Sequence, residues 1–508
     1  MKLNYKRTFL VGLAFFLIQM FWQAYDSIIP LIMTNKFGMS QTLSGIIMAL
    51  DNVLALFMLP LFGALSDRTK FKRGRRTPFI LIGTVVACIL FVSLSFADNW
   101  QLSRIDTISD TDNKATLQML YNEDLGKTSE EIRNEFTEEE FSSIKMYTDD
   151  GKLSEDYSDH VVKARQAYAW KQTASNPAPL ILFIVLLLGV LVSMSIFRSP
   201  AVSLMPDITP KPLRSKGNAV INLMGTLAGA IVLVLGIVFG TGKPENQLMS
   251  YTVFFSTIAG LMLIALIVFM ATVKEPKWAE DARVISERAG ITDAEEEKAA
   301  AEHRRKLSKP ELRSLIFMLL SVAFWYIGYN AVTSKYSVYA GAILGLDYNM
   351  TLLIAVAVAT IAFFPVAFIS SRIGRKKMIL IGVALLASAF FAACFMTSGS
   401  PLWLMNIFFS MAGIGWAAIN VNSFPMVVEL ATGSDVGRYT GFYYSASMAA
   451  QIAGPILSGP LLTMNLRTLF PFGTAFVVLS FITMLFVKHG DSKPEMKQAL
   501  EDAVNGDD

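Results

Sequence analysis

The chain has 508 residues, 53% hydrophobic and only 17% charged, with a mean hydropathy of +0.47 and a net charge of +3. A soluble domain of that length carries more charge and shorter apolar runs, so a soluble enzyme or a nucleic-acid-binding protein is excluded. Two cysteines, both inside apolar stretches, and three histidines, His160, His303 and His489, all outside them, give no disulfide framework and no metal site.

About 20 apolar residues cross a bilayer, and twelve such stretches follow one another along the chain. Lys2, Lys6 and Arg7 precede helix 1 at about 8–33, which is too long for a cleaved signal peptide. Helix 2 is predicted at 41–65 and helix 3 at 78–97. A polar insertion, 98–178, then carries 17 acids against 9 bases, and is long enough for a small helical cap. Helices 4 to 6, at about 179–204, 217–240 and 251–273, complete a first bundle over 1–273. A charged linker, 274–312, leads to helices 7 to 12 at about 313–340, 350–371, 378–397, 401–427, 437–463 and 468–488. The second bundle thus covers 313–489, and a polar tail 490–508 ends the chain. With both termini cytoplasmic, 30 of the 44 Lys and Arg residues fall inside, as the positive-inside rule requires. The short outer loops then hold Lys36, Lys243, Lys335 and Arg467, and the insertion lies outside the cell.

The turn Gly63–Pro78 reads GALSDRTKFKRGRRTP, and a shorter copy, SRIGRKK, stands at Ser371–Lys377. Gly74 and Gly374 match. After helix 4, Asp207, Arg214 and Gly217 follow in the order that Glu429, Arg438 and Gly441 follow after helix 10. The G-x-x-x-D-R pattern from Gly63 to Arg68 resembles the signature loop of the major facilitator superfamily, although Ser371 replaces its aspartate in the second copy. The resemblance implies an all-α integral membrane fold: twelve transmembrane helices in two pseudo-symmetric six-helix bundles about a central cavity. Asp67, Arg68, Arg75, Asp207, Arg214, Glu429 and Arg438 then read as gate charges that hold the halves together in the outward-open state. Asp67 would face the positive N-terminal end of helix 11. Solvated helix-end charges are the competing reading.

Three stretches narrow the resemblance. DRTKFKRGRRTPFI is similar to the corresponding turn of plant sucrose carriers and solute carrier family 45. RSPAVSLMPDITPKPLRSKGNA and, less specifically, GIGWAAINVNSFPMVVEL resemble that group and the glycoside–pentoside–hexuronide cation symporters. This implies a monomeric plasma-membrane carrier of a glycoside such as sucrose or maltose, coupled to a proton and needing no cofactor. Sodium is disfavoured, because the melibiose carrier's acidic helix 2 positions fall on Ala55 and Leu59 here.

A charge at membrane depth costs ~2.5–3.5 kcal/mol on insertion scales, so it points to function. Asp26 is the first candidate for the coupling proton, since Gln19, Gln23 and Asp26 share one helix face; Asp51 is the second. A structural bond to a neighbouring helix is the alternative for either. Arg198 needs a carboxylate or a sugar hydroxyl, unless it snorkels to the interface. Tyr326, Tyr329 and Asn330 on helix 7, Trp416 and Asn420 on helix 10, Gln451 on helix 11 and Asn222 on helix 5 offer aromatic plates and amides to a sugar. Packing and interhelical bonding would use the same residues. There is no G-x-x-x-x-G-K-[ST] motif and no nucleophilic triad, which points to secondary transport and not to an enzyme. An exporter of another small solute, or a transporter-derived sugar sensor, remains as an alternative.

Overall fold

In the computed structural model, which describes residues 4–69, 71–111, 113–123, 127–210, 213–288, 308–430 and 436–489, polar side chains start the helices where the sequence turns. Asn4 Oδ1 accepts the Arg7 N–H at 3.1 Å to open α1 (Tyr5–Leu31), and Ser40 Oγ accepts the Leu43 N–H at 3.3 Å to open α2 (Gln41–Arg68). Pro78 occupies the first turn of α3 (Thr77–Arg104), where its missing N–H removes no helical bond. Among the described residues of the insertion, four short helices follow: α4 (Lys114–Asn122), α5 (Lys127–Glu135), α6 (Glu138–Ser142) and α7 (Val162–Ser175). Then come α8 (Ala178–Ile208), α9 (Arg214–Phe239) and α10 (Thr252–Thr272), with α11 (Glu275–Arg288) opening the linker. A Ser308–Glu311 capping box starts α12 (Lys309–Tyr339). It is followed by α13 (Tyr348–Ile373), α14 (Arg375–Ala393), α15 (Leu402–Val428), α16 (Val436–Met464) and α17 (Leu469–Leu485). The linker over 289–307 and the tail over 490–508 lie outside the described residues.

Among the described residues, eleven helices are long and apolar enough to cross a membrane. The twelfth expected span, α16, has 29 residues but carries Arg438, Gln451, Pro455 and Pro460. Its polar character goes with its place against α2 and α12, between the halves. The pairing pattern repeats. In the first half α1 packs on α9, α2 on α8 and α3 on α8; in the second α12 packs on α16, α13 on α15 and α14 on α15. Glycine allows the matching close approaches, Gly83 against Ser193 and Phe197, and Gly382 against Gly415.

The halves meet at the end that bears the insertion. Gly45 of α2 lies under the Pro455 carbonyl of α16, and Thr42 donates its N–H to Thr463 Oγ1 at 3.0 Å. Across the same mouth, Asn349 Nδ2 donates to Thr241 Oγ1 at 3.1 Å, and Lys335 Nζ donates to Ser44 Oγ at 2.7 Å. At the other end, where α1 begins and α17 ends, Asn222 and Leu223 of α9 and Arg438 and Tyr444 of α16 are exposed. Among the described residues, the bundle is closed at the insertion end and open at the end where α1 begins.

Two of the cations assigned to outer loops are buried instead. α1 continues in a π turn, Ile32–Lys36, and α3 runs to Arg104, well past its expected end at 97. Those extensions bring Lys36 Nζ to 2.6 Å from Asp98 Oδ2, with both side chains fully buried. Lys335 is buried within α12. The insertion has its own core, including Ile105, Leu117, Phe141, Tyr157 and Val161.

Candidate functional site

Between the halves lies a cavity of about 370 Å³. From α1 it is lined by Gln19, Gln23 and Asp26, the three polar residues at i, i+4 and i+7. Facing them are Tyr329, Asn330 and Thr333 of α12 and Trp416 of α15. Gln23 Nε2 donates to Ser27 Oγ at 3.2 Å, which orients its amide along the wall.

Behind the α1 wall stands a group of three charges. Asp26 presents surface to the cavity while enclosed by protein, and it interacts electrostatically with Asp51 and Arg198. Asp51 Oδ1 accepts from Asn52 Nδ2 at 2.7 Å, and the Arg198 guanidinium carbon lies 5.3 Å from the centre of the Trp22 ring. Two carboxylates and one fixed guanidinium carry a net charge of −1, and one bound proton makes the group neutral. At this depth, where unbalanced charge is costly, that difference is a natural switch.

The opposite wall is aromatic. Tyr329 and Trp416 stack with centroids 6.4 Å apart, and Phe363 of α13 meets Trp416 edge-on at 5.7 Å. Tyr329 and Asp26 border the same cavity from its two walls. Asn330 Nδ2 donates to Tyr326 O at 2.8 Å and Asn420 Nδ2 to Trp416 O at 3.1 Å, so both amides are anchored on their own helices. Tyr326 bonds Tyr443, which is linked at 3.0 Å to Ser423.

Of the residues singled out from the sequence, Gln19, Gln23, Asp26, Tyr329, Asn330 and Trp416 line this cavity together. Asp51, Arg198, Tyr326, Asn420 and Gln451 are partly buried outside that lining, and Asn222 is exposed towards the open end. Sequence reasoning missed Thr226, Thr360 and Phe363. Thr226 lies one turn from Asn222, so helical spacing could have found it; Thr360 is the lone polar residue between Leu352 and Ile369 of α13, and gives no such signal.

Among the described residues, the charged turns form one network in each half. Arg76, 4% exposed, is the hub of the first: it donates to Asp67 Oδ1 at 2.5 Å, to Ser66 Oγ at 2.5 Å and to Asp207 Oδ2 at 2.9 Å. Arg75 adds an ion pair to Asp207 at 2.8 Å. In the second half Arg375, which follows Gly374 as Arg75 follows Gly74, pairs with Glu429. The sequence reading had these charges bridging the halves. Here each of these pairings stays inside one half, and Asp67 turns to Arg75 and Arg76, as suits a bundle open at this end. Arg68 and Arg438 are exposed, and the Arg214 side chain lies outside the described residues.

The sequence profile of the Major Facilitator Superfamily matches residues 9–105, 167–368 and 345–504. No curated protein matches the chain by sequence. Among solved structures, the inward-open xylose transporter XylE from E. coli superposes with a TM-score of 0.60 at 14% identity, covering 98% of this chain and 100% of that one. A D-xylose–proton symporter gives 0.57 at 13% identity, covering 96% and 99%. The peptide transporter POT in complex with sulfate gives 0.58 at 13%, covering 94% of each chain. At such identities the likeness concerns the fold, and the profile match extends over most of the chain. The protein belongs to the Major Facilitator Superfamily.

Proposed function

We propose that the protein is a secondary transporter that carries a sugar or glycoside, of the sucrose or maltose kind, together with a proton. The observation that carries this reading is the cavity itself. Amides and a carboxylate from α1 face an aromatic pair, Tyr329 and Trp416, in a space of about 370 Å³. That volume falls within the roughly 300–1,000 Å³ of small-molecule sites. Stacked rings offer a flat face to the C–H side of a pyranose, while Gln19, Gln23 and Asn330 answer its hydroxyls. Similarity to a D-xylose–proton symporter supports the class, and the sucrose-carrier-like turn supports the glycoside.

Asp26 is the proposed proton carrier, with Asp51 and Arg198 setting the charge it must balance. In the cell membrane, with both termini cytoplasmic, the present state is inward-open. Asp67, Arg75, Asp207, Glu429 and Arg438 then serve as gate charges when the cytoplasmic end closes.

Purified protein in liposomes, given labelled sucrose or maltose with and without an inward proton gradient, tests the reading. Gradient-driven accumulation abolished by a protonophore supports it. Absence of uptake and exchange for both sugars overturns the substrate class, and gradient-independent uptake overturns the coupling.

A further inference from the structure

Among the described residues, Asp159, Leu153 and Lys152 of the insertion reach across the closed mouth to the second half. Asp159 Oδ2 stands 3.7 Å from Arg467 Nη2, in the turn between α16 and α17. Leu153 packs on Gly345 after α12, so closely that a Cβ there would fall 2.6 Å from Leu153 Cβ. Lys152 borders Gly399 in the turn between α14 and α15. Beneath this bridge is a cleft of about 810 Å³, larger than the central cavity. The insertion and the α1–α2 turn form one wall; the α16–α17 turn and the residues just after α12, Ala342 and Ile343, form the other.

We propose that this cleft is an extracytoplasmic binding site for a neutral oligosaccharide, assembled only while the mouth at the insertion end is closed. Trp170, 41% exposed, supplies an aromatic plate. Gln166, whose Nε2 donates to Asn35 Oδ1 at 3.2 Å, and Gln41, only 8% exposed, bring amides to the cleft wall. The charges in the lining balance: Glu135 and Asp159 against Lys163 and Arg467, with His160 Nε2 3.2 Å from Glu135 Oε2. A cleft of zero net charge gives no preference to an ion, and a plate flanked by amides suits stacked sugar rings. Its volume accommodates more than one ring.

Because the two walls belong to different halves, opening the mouth dismantles the site. Such a ligand binds one state only, so its occupancy holds the carrier closed to the outside. At ten times its dissociation constant it would bias the closed state by a factor of about 11. The site is thus a brake that reports the external sugar supply.

Equilibrium binding of labelled maltotriose to the full-length protein in nanodiscs tests this, with Trp170→Ala, Gln166→Ala and Trp416→Ala compared for monodisperse elution and melting. The expected result is saturable binding that Trp416→Ala leaves within twofold and that Trp170→Ala or Gln166→Ala weakens at least tenfold. Maltotriose should also slow labelling of a cysteine inside the outward mouth. No saturable binding overturns the proposal. So does binding abolished by Trp416→Ala and indifferent to both cleft variants, which places the sugar in the central cavity alone. Because the cleft is read separately from Trp416, its failure is distinguishable from failure of the transport reading.

Discussion

Gly74 lies directly against the carboxylate of Glu275: a Cβ built on it would fall 2.3 Å from Oε2. The glycine is held at φ 114°, which favours glycine over any other residue. The space it leaves lets Glu275, 3% exposed, accept from the backbone N–H groups of Arg75, Arg76 and Thr77 at 2.8–2.9 Å. The linker thus caps the N-terminus of α3 with a charge of the favourable sign. Gly74→Ala should destabilise the protein by about 1–3 kcal/mol through strain and clash. Glu275→Gln should cost about 0.5–2 kcal/mol as a weakened cap. Thermal unfolding in detergent should show both midpoints lowered, and an unchanged Gly74→Ala would contradict the close packing.

Asp26→Asn removes the titratable group and leaves a neutral side chain of nearly the same shape at the cavity wall. Sugar binding and downhill exchange should persist, while accumulation driven by a proton gradient collapses to the downhill limit. Accumulation at wild-type rates would move the proton to Asp51. Counterflow and gradient-driven uptake in the same liposomes separate the two outcomes.

Side-specific labelling tests the topology. Ser142 in the insertion is only 4% exposed, so its neighbour Ser143, which is exposed, is the better reporter. In a background of Cys394→Ala, an impermeant thiol reagent added to intact cells should modify Ser143→Cys and spare Lys72→Cys in the basic turn. The reverse pattern would invert the protein in the membrane.

Lys335 is fully buried between the halves, and among the described residues no carboxylate pairs with it. Burying an ammonium with one hydroxyl partner costs several kcal/mol, which opening the mouth to water would recover. Lys335→Met should therefore favour the state closed at the insertion end. The labelling of Ser337→Cys from that side should slow about tenfold for each 1.4 kcal/mol gained. Faster labelling would show instead that the bond to Ser44 holds the mouth shut.

Periodicity made the helices and one wall of the cavity legible. A run of about 20 apolar residues has few other uses, and Gln19, Gln23 and Asp26 stand out because polar groups at i, i+4 and i+7 break such a run on one face. Spacing says nothing about which helix that face will meet. Asp98 is 62 residues from Lys36 and Ser44 is 291 from Lys335, so neither partner could be read locally. The Glu275 cap needs the linker to fold back on a turn 200 residues earlier, and Phe363 enters the cavity from a helix with no polar stripe. The repeat did show that Arg75 and Arg375 occupy equivalent places, but not that each keeps its acid within its own half.

The buried pair of Lys36 and Asp98 also sets an order of events during synthesis. Lys36 donates at 2.6 Å both to Asp98 and to the Met249 carbonyl, and it lies 4.4 Å from the centre of the Tyr251 ring. None of these partners exists when Lys36 leaves the ribosome. Its ammonium must wait at the water interface until α3 arrives, and its environment is complete only once the chain has passed Tyr251. The first half therefore closes around its earliest helix late, from the far end of its own sequence. A nascent chain arrested before Asp98 should leave Lys36 open to aqueous amine reagents, and one arrested beyond α10 should not.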